Sequence, residues 1–117
     1  MNLLELLFGK PAPVINALEL NEKLKNGKRP LVLDVRQPEE YRSGHIPGAK
    51  LIPLGELSRR VKELSKDKEI VCVCASGNRS SSAVRILSNA GFNAINMKGG
   101  MFSWGRASFQ VKKGDAA

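Results

Sequence analysis

Ile70-Val71-Cys72-Val73-Cys74-Ala75-Ser76-Gly77-Asn78-Arg79-Ser80 passes from an apolar run into a glycine-containing loop and then into helix-forming sequence. A short apolar segment bounded by turn residues is the pattern of a buried strand. The loop behind it reads C-x-x-G-x-R, a setting suited to a reactive thiolate. The strand delivers the sulfur, the loop curls its backbone amides around it, and the following helix contributes the positive end of its dipole.

Strand and helix signals alternate on both sides of this unit. Val14-Ile15 is a brief first strand, and Asn16 with Glu19 forms the reciprocal pair of a capping box for the helix behind it. Ala17, Leu20 and Leu24 repeat on one face of that helix until Asn26-Gly27 stops it. Leu31-Val32-Leu33-Asp34-Val35 is apolar on both sides apart from Asp34, as a central parallel strand is. Pro38 suits a first helical turn, with Glu39 and Glu40 near its positive end. Gly44, Pro47 and Gly48 punctuate a loop before the short strand Leu51-Ile52, and Pro53 opens a helix that buries Leu54, Leu57, Val61 and Leu64. Glu69 to Val73 is the fourth strand. After the Cys74 loop, Ala83, Val84, Leu87 and Ala90 form the buried stripe of a helix that Gly91 ends, with Phe92 packing back over the last turn. Ala94-Ile95-Asn96-Met97 is a fifth strand, Lys98-Gly99-Gly100 a turn, and a final short helix carries Phe102 and Trp104.

This alternation predicts a single α/β domain: a five-stranded, mainly parallel sheet with helices on both faces and ligands beyond the carboxyl ends of the strands. Cys74 lies at such an end. The expected organisation is an apolar N-terminal extension over residues 1–12, the folded domain over 13–108 and a tail over 109–117 that frays from Lys112 onward. The extension, with Leu3, Leu4, Leu6, Leu7 and Phe8, is expected to fold back on its own domain, the alternatives being another protein or a membrane surface.

With 117 residues the chain has room for one core. No apolar run approaches membrane-spanning length, and residues 1–10 lack both a basic leader region and an unbroken apolar stretch, so a cytoplasmic location is the default expectation and membrane association is not expected. Cys72 and Cys74 stand two apart on an extended segment, where a bridge would need strained geometry. Zinc needs about four ligands, and two thiols with the distant His45 do not supply them; no metal is expected. The net charge is +8, but from Val71 onward six basic residues face the single acid Asp115, so the half carrying Cys74 is the electropositive one. That balance draws small anions and depresses a thiol pKa. The few aromatic residues do not interleave with basic clusters, which argues against nucleic acid.

Asp34-Val35-Arg36, Glu40-Tyr41, Gly44-His45-Ile46-Pro47-Gly48-Ala49, Cys74-x-x-Gly77-x-Arg79-Ser80, Gly91-Phe92 and Gly99-Gly100-x-x-x-Trp104, in this order, resemble a single-domain rhodanese, a sulfurtransferase. The resemblance covers about Val14 to Arg106. It implies a five-stranded parallel sheet and a cysteine that cycles through a persulfide, with Cys74 as the nucleophile and no cofactor. Leu51 stands where the family often has a polar residue. The implied donor is a small anion such as thiosulfate or a low-molecular-weight persulfide, and the implied acceptor is cyanide, a thiol or a protein cysteine. A monomer or weak dimer is expected.

The chemistry also follows from the residues. A free thiol of pKa about 8.5 is a few per cent ionised at neutral pH; lowering it by about two units stabilises the thiolate by about 2.7 kcal/mol. Amides of the loop Ala75, Ser76, Gly77, Asn78, Arg79 and Ser80 and the Arg79 guanidinium are the candidates to supply this. Cysteine phosphatases place one residue more between Cys and Arg; the tighter loop here favours a single sulfur over a phosphoryl group, leaving a phosphatase or arsenate reductase as the alternative chemistry. A non-catalytic interaction module is the alternative of another class, usually marked by loss of the cysteine.

Arg79 is expected both to close the loop, with Glu40 as an available partner, and to offer charge to an anionic donor. Asp34 is expected to accept turn hydrogen bonds. Arg36 either pairs with an acid or recruits anions, and the sequence leaves both open. Cys72 and Trp104 are expected in the core, Gly77 at a backbone turn toward the sulfur, and His45 in a structural place.

Overall fold

The computed structural model describes residues 2–8 and 12–117. The chain runs α1 (Leu3–Phe8), β1 (Val14–Ile15), α2 (Ala17–Leu24), β2 (Leu31–Asp34), α3 (Pro38–Ser43), β3 (Lys50–Leu51), α4 (Leu54–Arg60), a 3-10 turn at Val61–Glu63, β4 (Ile70–Val73), α5 (Asn78–Asn89), β5 (Ala94–Met97) and α6 (Gly100–Arg106). The strands form one sheet in the order β1-β5-β4-β2-β3, and every pairing is parallel. The strand read at Leu51-Ile52 lies one residue earlier, and Ile52 instead donates its N–H to Asp34 O as the chain leaves the sheet.

β4 occupies the middle of the sheet because nothing in it needs water: all four of its residues are buried. Side chains alternate across a strand, so Ile70 and Cys72 join Leu33, Ile52, Leu57, Val84 and Leu87 in a core under α4 and α5. Val71 and Val73 point the other way, into a core with Leu20, Val32, Tyr41, Ile46 and Trp104. Local signals fix the helix starts. Asn16 Oδ1 accepts from Glu19 N at 2.8 Å and Glu19 Oε1 accepts from Asn16 N at 3.1 Å, closing the capping box of α2. The single helix expected through Leu64 is shorter: α4 ends at Arg60 and tightens into the 3-10 turn, after which Leu64 is extended. The tighter winding turns the chain toward β4 and keeps Leu64 in the core.

Two expectations about the ends are corrected. Leu3, Leu4, Leu6 and Leu7 of α1 are 63–69% exposed, so these leucines do not pack back on the domain; the Phe8 side chain, also expected there, lies outside the described residues. The tail does not fray. His45 and Lys112 exchange backbone hydrogen bonds of 2.9 and 2.8 Å, Gly114 N donates to Arg42 O, and Trp104 Nε1 donates to Gln110 O at 2.9 Å. Phe109 meets Trp104 edge-on, with ring centroids 5.1 Å apart. The buried His45 ring stacks on Tyr41 and lies 2.8 Å from Tyr41 O through Nδ1 and 2.8 Å from Ala116 O through Nε2. Buried polar groups on the domain thus require partners that only the tail supplies. Among the described residues no helix is long and apolar enough to cross a membrane.

Deleting residues 109–117 strips the cover from Trp104 and the Ala116 partner from His45. The expected result is a loss of unfolding free energy of about 2–4 kcal/mol, measured by urea titration; an unchanged midpoint would show that the tail is not part of the folded unit.

Candidate active site

The end of β4 places Cys74 where the sheet stops and α5 begins. Val35 N donates to Val73 O, which ties the strand end to β2, and Cys74 itself is fully covered. The chain then turns back on the sulfur. Gly77 makes this possible: its φ of +107° is accessible to glycine at little cost, and its N–H donates to Cys74 Sγ at 3.0 Å. Gly77 has no side chain to cap α5, so amides of the first helical turn are left free. The sulfur takes hydrogen bonds from the Gly77 N–H and, at 3.3 Å, from the Ser80 hydroxyl, and the nearby N–H groups of Ser80 and Ser76 also favour its charged form. Burial pushes the thiol pKa up, but these hydrogen bonds lower it by more, and the Cys74 pKa falls below its ordinary value. Cys72, buried with no such donors, has its pKa pushed up to about 12 by desolvation and then by the nearby Cys74 charge.

The far side of the loop is held by α6. Met101 N donates to Cys74 O at 2.8 Å and Phe102 N to Ala75 O at 3.1 Å. This contact is close because Gly100 has no Cβ: one placed there would lie 2.3 Å from Cys74 O and 2.5 Å from Ala75 O.

Of the loop residues, Gly77 and Ser80 are buried, Ala75 and Arg79 partly so, and Ser76 and Asn78 are exposed. The Arg79 guanidinium makes a bidentate pair with Glu40 on α3, at 2.7 and 2.9 Å. That pair, aided by a backbone bond from Gln37 and opposed by burial, which raises the pKa, holds the Glu40 carboxyl at about 2. Asp34 accepts from Arg36 N at 3.1 Å, and its two oxygens take Arg36 Nε and Nη2 at 3.0 and 2.8 Å; Nη2 also reaches Gly44 O. Both members of this pair are buried, so Arg36 braces the turn after β2 and is not free to recruit anions.

Asn96 escaped the sequence reading. It sits on β5 beside the loop, where its Nδ2 donates to Gly77 O at 3.1 Å and its Oδ1 accepts from Ser80 Oγ at 2.6 Å. A polar residue in the apolar run Ala94-Ile95-Asn96-Met97 is the signal that could have found it. Among the described residues no group of three or more His, Cys, Asp or Glu side chains is arranged to hold a metal. A groove of about 480 Å³ lies at the opposite, amino-terminal end of the strands, lined by Gly27 to Pro30 and Asp67 to Glu69; it contains none of the loop residues.

The family model of the rhodanese-like domain matches residues 16–107. The chain is 38% identical over 90 residues to the Bacillus subtilis protein named "Putative sulfurtransferase YtwF", covering 77% of this chain and 87% of that one. It is 41% identical over 93 residues, 79% of its own length, to the "Putative sulfur carrier protein YrkF" of the same organism, of which it spans 50%. The crystal structure of a rhodanese-related protein from Thermoplasma volcanium superposes with a TM-score of 0.80 at 40% identity, covering 86% of this chain and 97% of that one. With a sheet and helices of the same arrangement and sulfurtransferase-named relatives over most of its length, the chain belongs to the rhodanese-like domain family.

Proposed function

We propose that this protein is a sulfurtransferase in which Cys74 carries the transferred sulfur. The observation that supports this best is the pair of donors turned on Sγ, the Gly77 N–H at 3.0 Å and the Ser80 hydroxyl at 3.3 Å. The Cys74 thiolate attacks the outer sulfur of thiosulfate; the new S–S bond forms as the old one breaks, and sulfite leaves with its electron pair. The charge then sits on the terminal sulfur of the persulfide, where loop amides can solvate it. Cyanide or a thiolate next attacks that terminal sulfur, leaves as thiocyanate or a persulfide, and returns the electron pair to Cys74. Neither step needs a group that the chain lacks.

Charge alone does not prepare the site. Arg79 is already paired with Glu40, so its field on an incoming anion is partly cancelled, and the neutral amides carry the larger share. Cys74 is fully covered, which favours donors that present one slender sulfur atom over a tetrahedral group.

Incubated with thiosulfate, the wild-type protein is expected to gain one sulfur by intact mass and to form thiocyanate when cyanide is added. Cys74→Ser removes both signals, and Cys72→Ser keeps most of each; turnover by Cys74→Ser would refute the assignment.

Alkylation by iodoacetamide should rise with pH through a midpoint below the ordinary thiol value of about 8.5, because the lowered pKa keeps Cys74 ionised at lower pH. Cys72, at about 12, should stay unmodified at neutral pH. Peptide mapping of the adducts separates the two, and a Cys74 midpoint above the ordinary value would contradict the hydrogen-bonded thiolate.

The Glu40 carboxyl, at about 2 in the fold against an ordinary 4.5, gives a third expectation. A depressed folded value means that the pair with Arg79 stabilises fully above about pH 4.5 and is lost as pH falls through 2. The stability difference between wild type and Glu40→Gln, measured by urea titration at successive pH values, should therefore shrink across that window. A difference that stays constant from pH 7 to pH 2 would show that the pair contributes nothing.

A further inference from the structure

Ser80 Oγ has one proton and two acceptors within reach: Asn96 Oδ1 at 2.6 Å and Cys74 Sγ at 3.3 Å. It can satisfy only one at a time. The Asn96 amide cannot turn over to resolve the competition, because its Nδ2 donates to Gly77 O at 3.1 Å and a reversed amide would set two carbonyl oxygens against each other. Asn96 is therefore fixed as an acceptor toward Ser80, inside a site where Ser80 is fully buried and Asn96 is 7% exposed.

We propose that Asn96 is a positioning residue that withholds the Ser80 proton from Cys74 in every state in which the inner sulfur is uncharged. With a neutral thiol, the S–H donates to Ser80 Oγ and the hydroxyl donates to Asn96. On ionisation the hydroxyl turns to the thiolate, and Asn96 Oδ1 is left buried without a donor. When the outer sulfur is loaded, the negative charge moves to the terminal atom, and the hydroxyl returns to Asn96. The free thiolate alone bears the cost of an unsatisfied amide oxygen. Asn96 thereby tilts the site from empty thiolate toward loaded persulfide, a part of the inference that rests on the sulfur-carrying role proposed above.

The other ionisable groups around the sulfur are Arg79 on α5 with its Glu40 partner from α3, Cys72 on β4, and the Asp34–Arg36 pair at the end of β2. Beyond β5 and on α6 lie the exposed Lys98 and Arg106. All of these are unchanged in the variants below.

The test reads the sign of a shift. In Asn96→Ala the Ser80 hydroxyl is free to serve the thiolate, so the alkylation midpoint of Cys74 should move to lower pH, by about threefold to tenfold in the thiol-to-thiolate ratio. A residue that merely supported the loop would, on removal, loosen the amides and move the midpoint up. Asn96→Asp, a stronger acceptor bearing charge, should move it to higher pH, and in a Ser80→Ala background Asn96→Ala should no longer move it to lower pH. At a fixed thiosulfate-to-sulfite ratio, the loaded fraction of Asn96→Ala should fall by a similar factor.

The unaltered protein supplies a readout that does not depend on any Asn96 variant folding. The side-chain carbonyl carbon resonance of Asn96 should titrate with the Cys74 alkylation midpoint in wild type and not in Ser80→Ala. An upward or absent shift in Asn96→Ala, or an Asn96 resonance indifferent to Cys74 ionisation, overturns the proposal. If wild type takes no sulfur from thiosulfate while these alkylation and resonance results hold, the transfer function fails and the proton competition stands.

Discussion

A sulfur atom sealed from solvent carries negative charge only where something other than water points hydrogens at it. In this protein that something is the Ser80 hydroxyl and the Gly77 N–H, turned inward at the end of β4. Burial alone drives a thiol the other way, as Cys72 shows two residues earlier on the same strand. The contrast between the two cysteines isolates the cause. Both are buried and both belong to the same apolar run, yet the sulfur surrounded by packing has its pKa pushed up and the sulfur reached by hydrogen-bond donors has its pKa brought down.

Holding those donors in place requires support from outside the loop. Gly77 supplies the left-handed turn that brings its amide to the sulfur, and Asn96 from β5 grips the Gly77 carbonyl from behind. The loop carbonyls of Cys74 and Ala75 face outward and are taken by the first amides of α6. The close seating of that helix explains Gly100, since any β-carbon there would strike the loop backbone. α6 is anchored in turn by Trp104, whose indole N–H is satisfied by the tail at Gln110. A line of contacts thus runs from the chain's last residues through α6 to the backbone that faces the sulfur.

Charge enters the site less directly than composition implies. The carboxyl-terminal half is strongly basic, but the arginines nearest the loop are not free. Arg79 spends its planar fork on Glu40, and Arg36 is buried against Asp34. Both pairs tie the turn and helix after β2 into the fold, which makes them braces for the loop's surroundings. The sulfur is served mainly by fixed, neutral dipoles that need no counterion and little reorganisation when charge appears or moves.

The order of elements, the parallel sheet and the position of Cys74 at a strand end were legible because each rests on a short-range pattern. The apolar run of β4, the capping residues Asn16 and Glu19 and the glycines at 77 and 91 act within a few positions of themselves. The partners of buried polar groups were not legible, because the chain brings them from far away. Asn96 meets Ser80 across sixteen positions and Glu40 meets Arg79 across thirty-nine, while His45 finds Ala116 seventy-one positions on. The polar tail read as loose for the same reason: its composition resembles a frayed end, and only the folded domain reveals the buried ring and indole that it must satisfy. Sequence determined which residues form the elements and where the thiol emerges. Tertiary structure decided which dipoles and partners surround it, since a hydrogen bond depends on distance in space and a sequence records only distance along the chain.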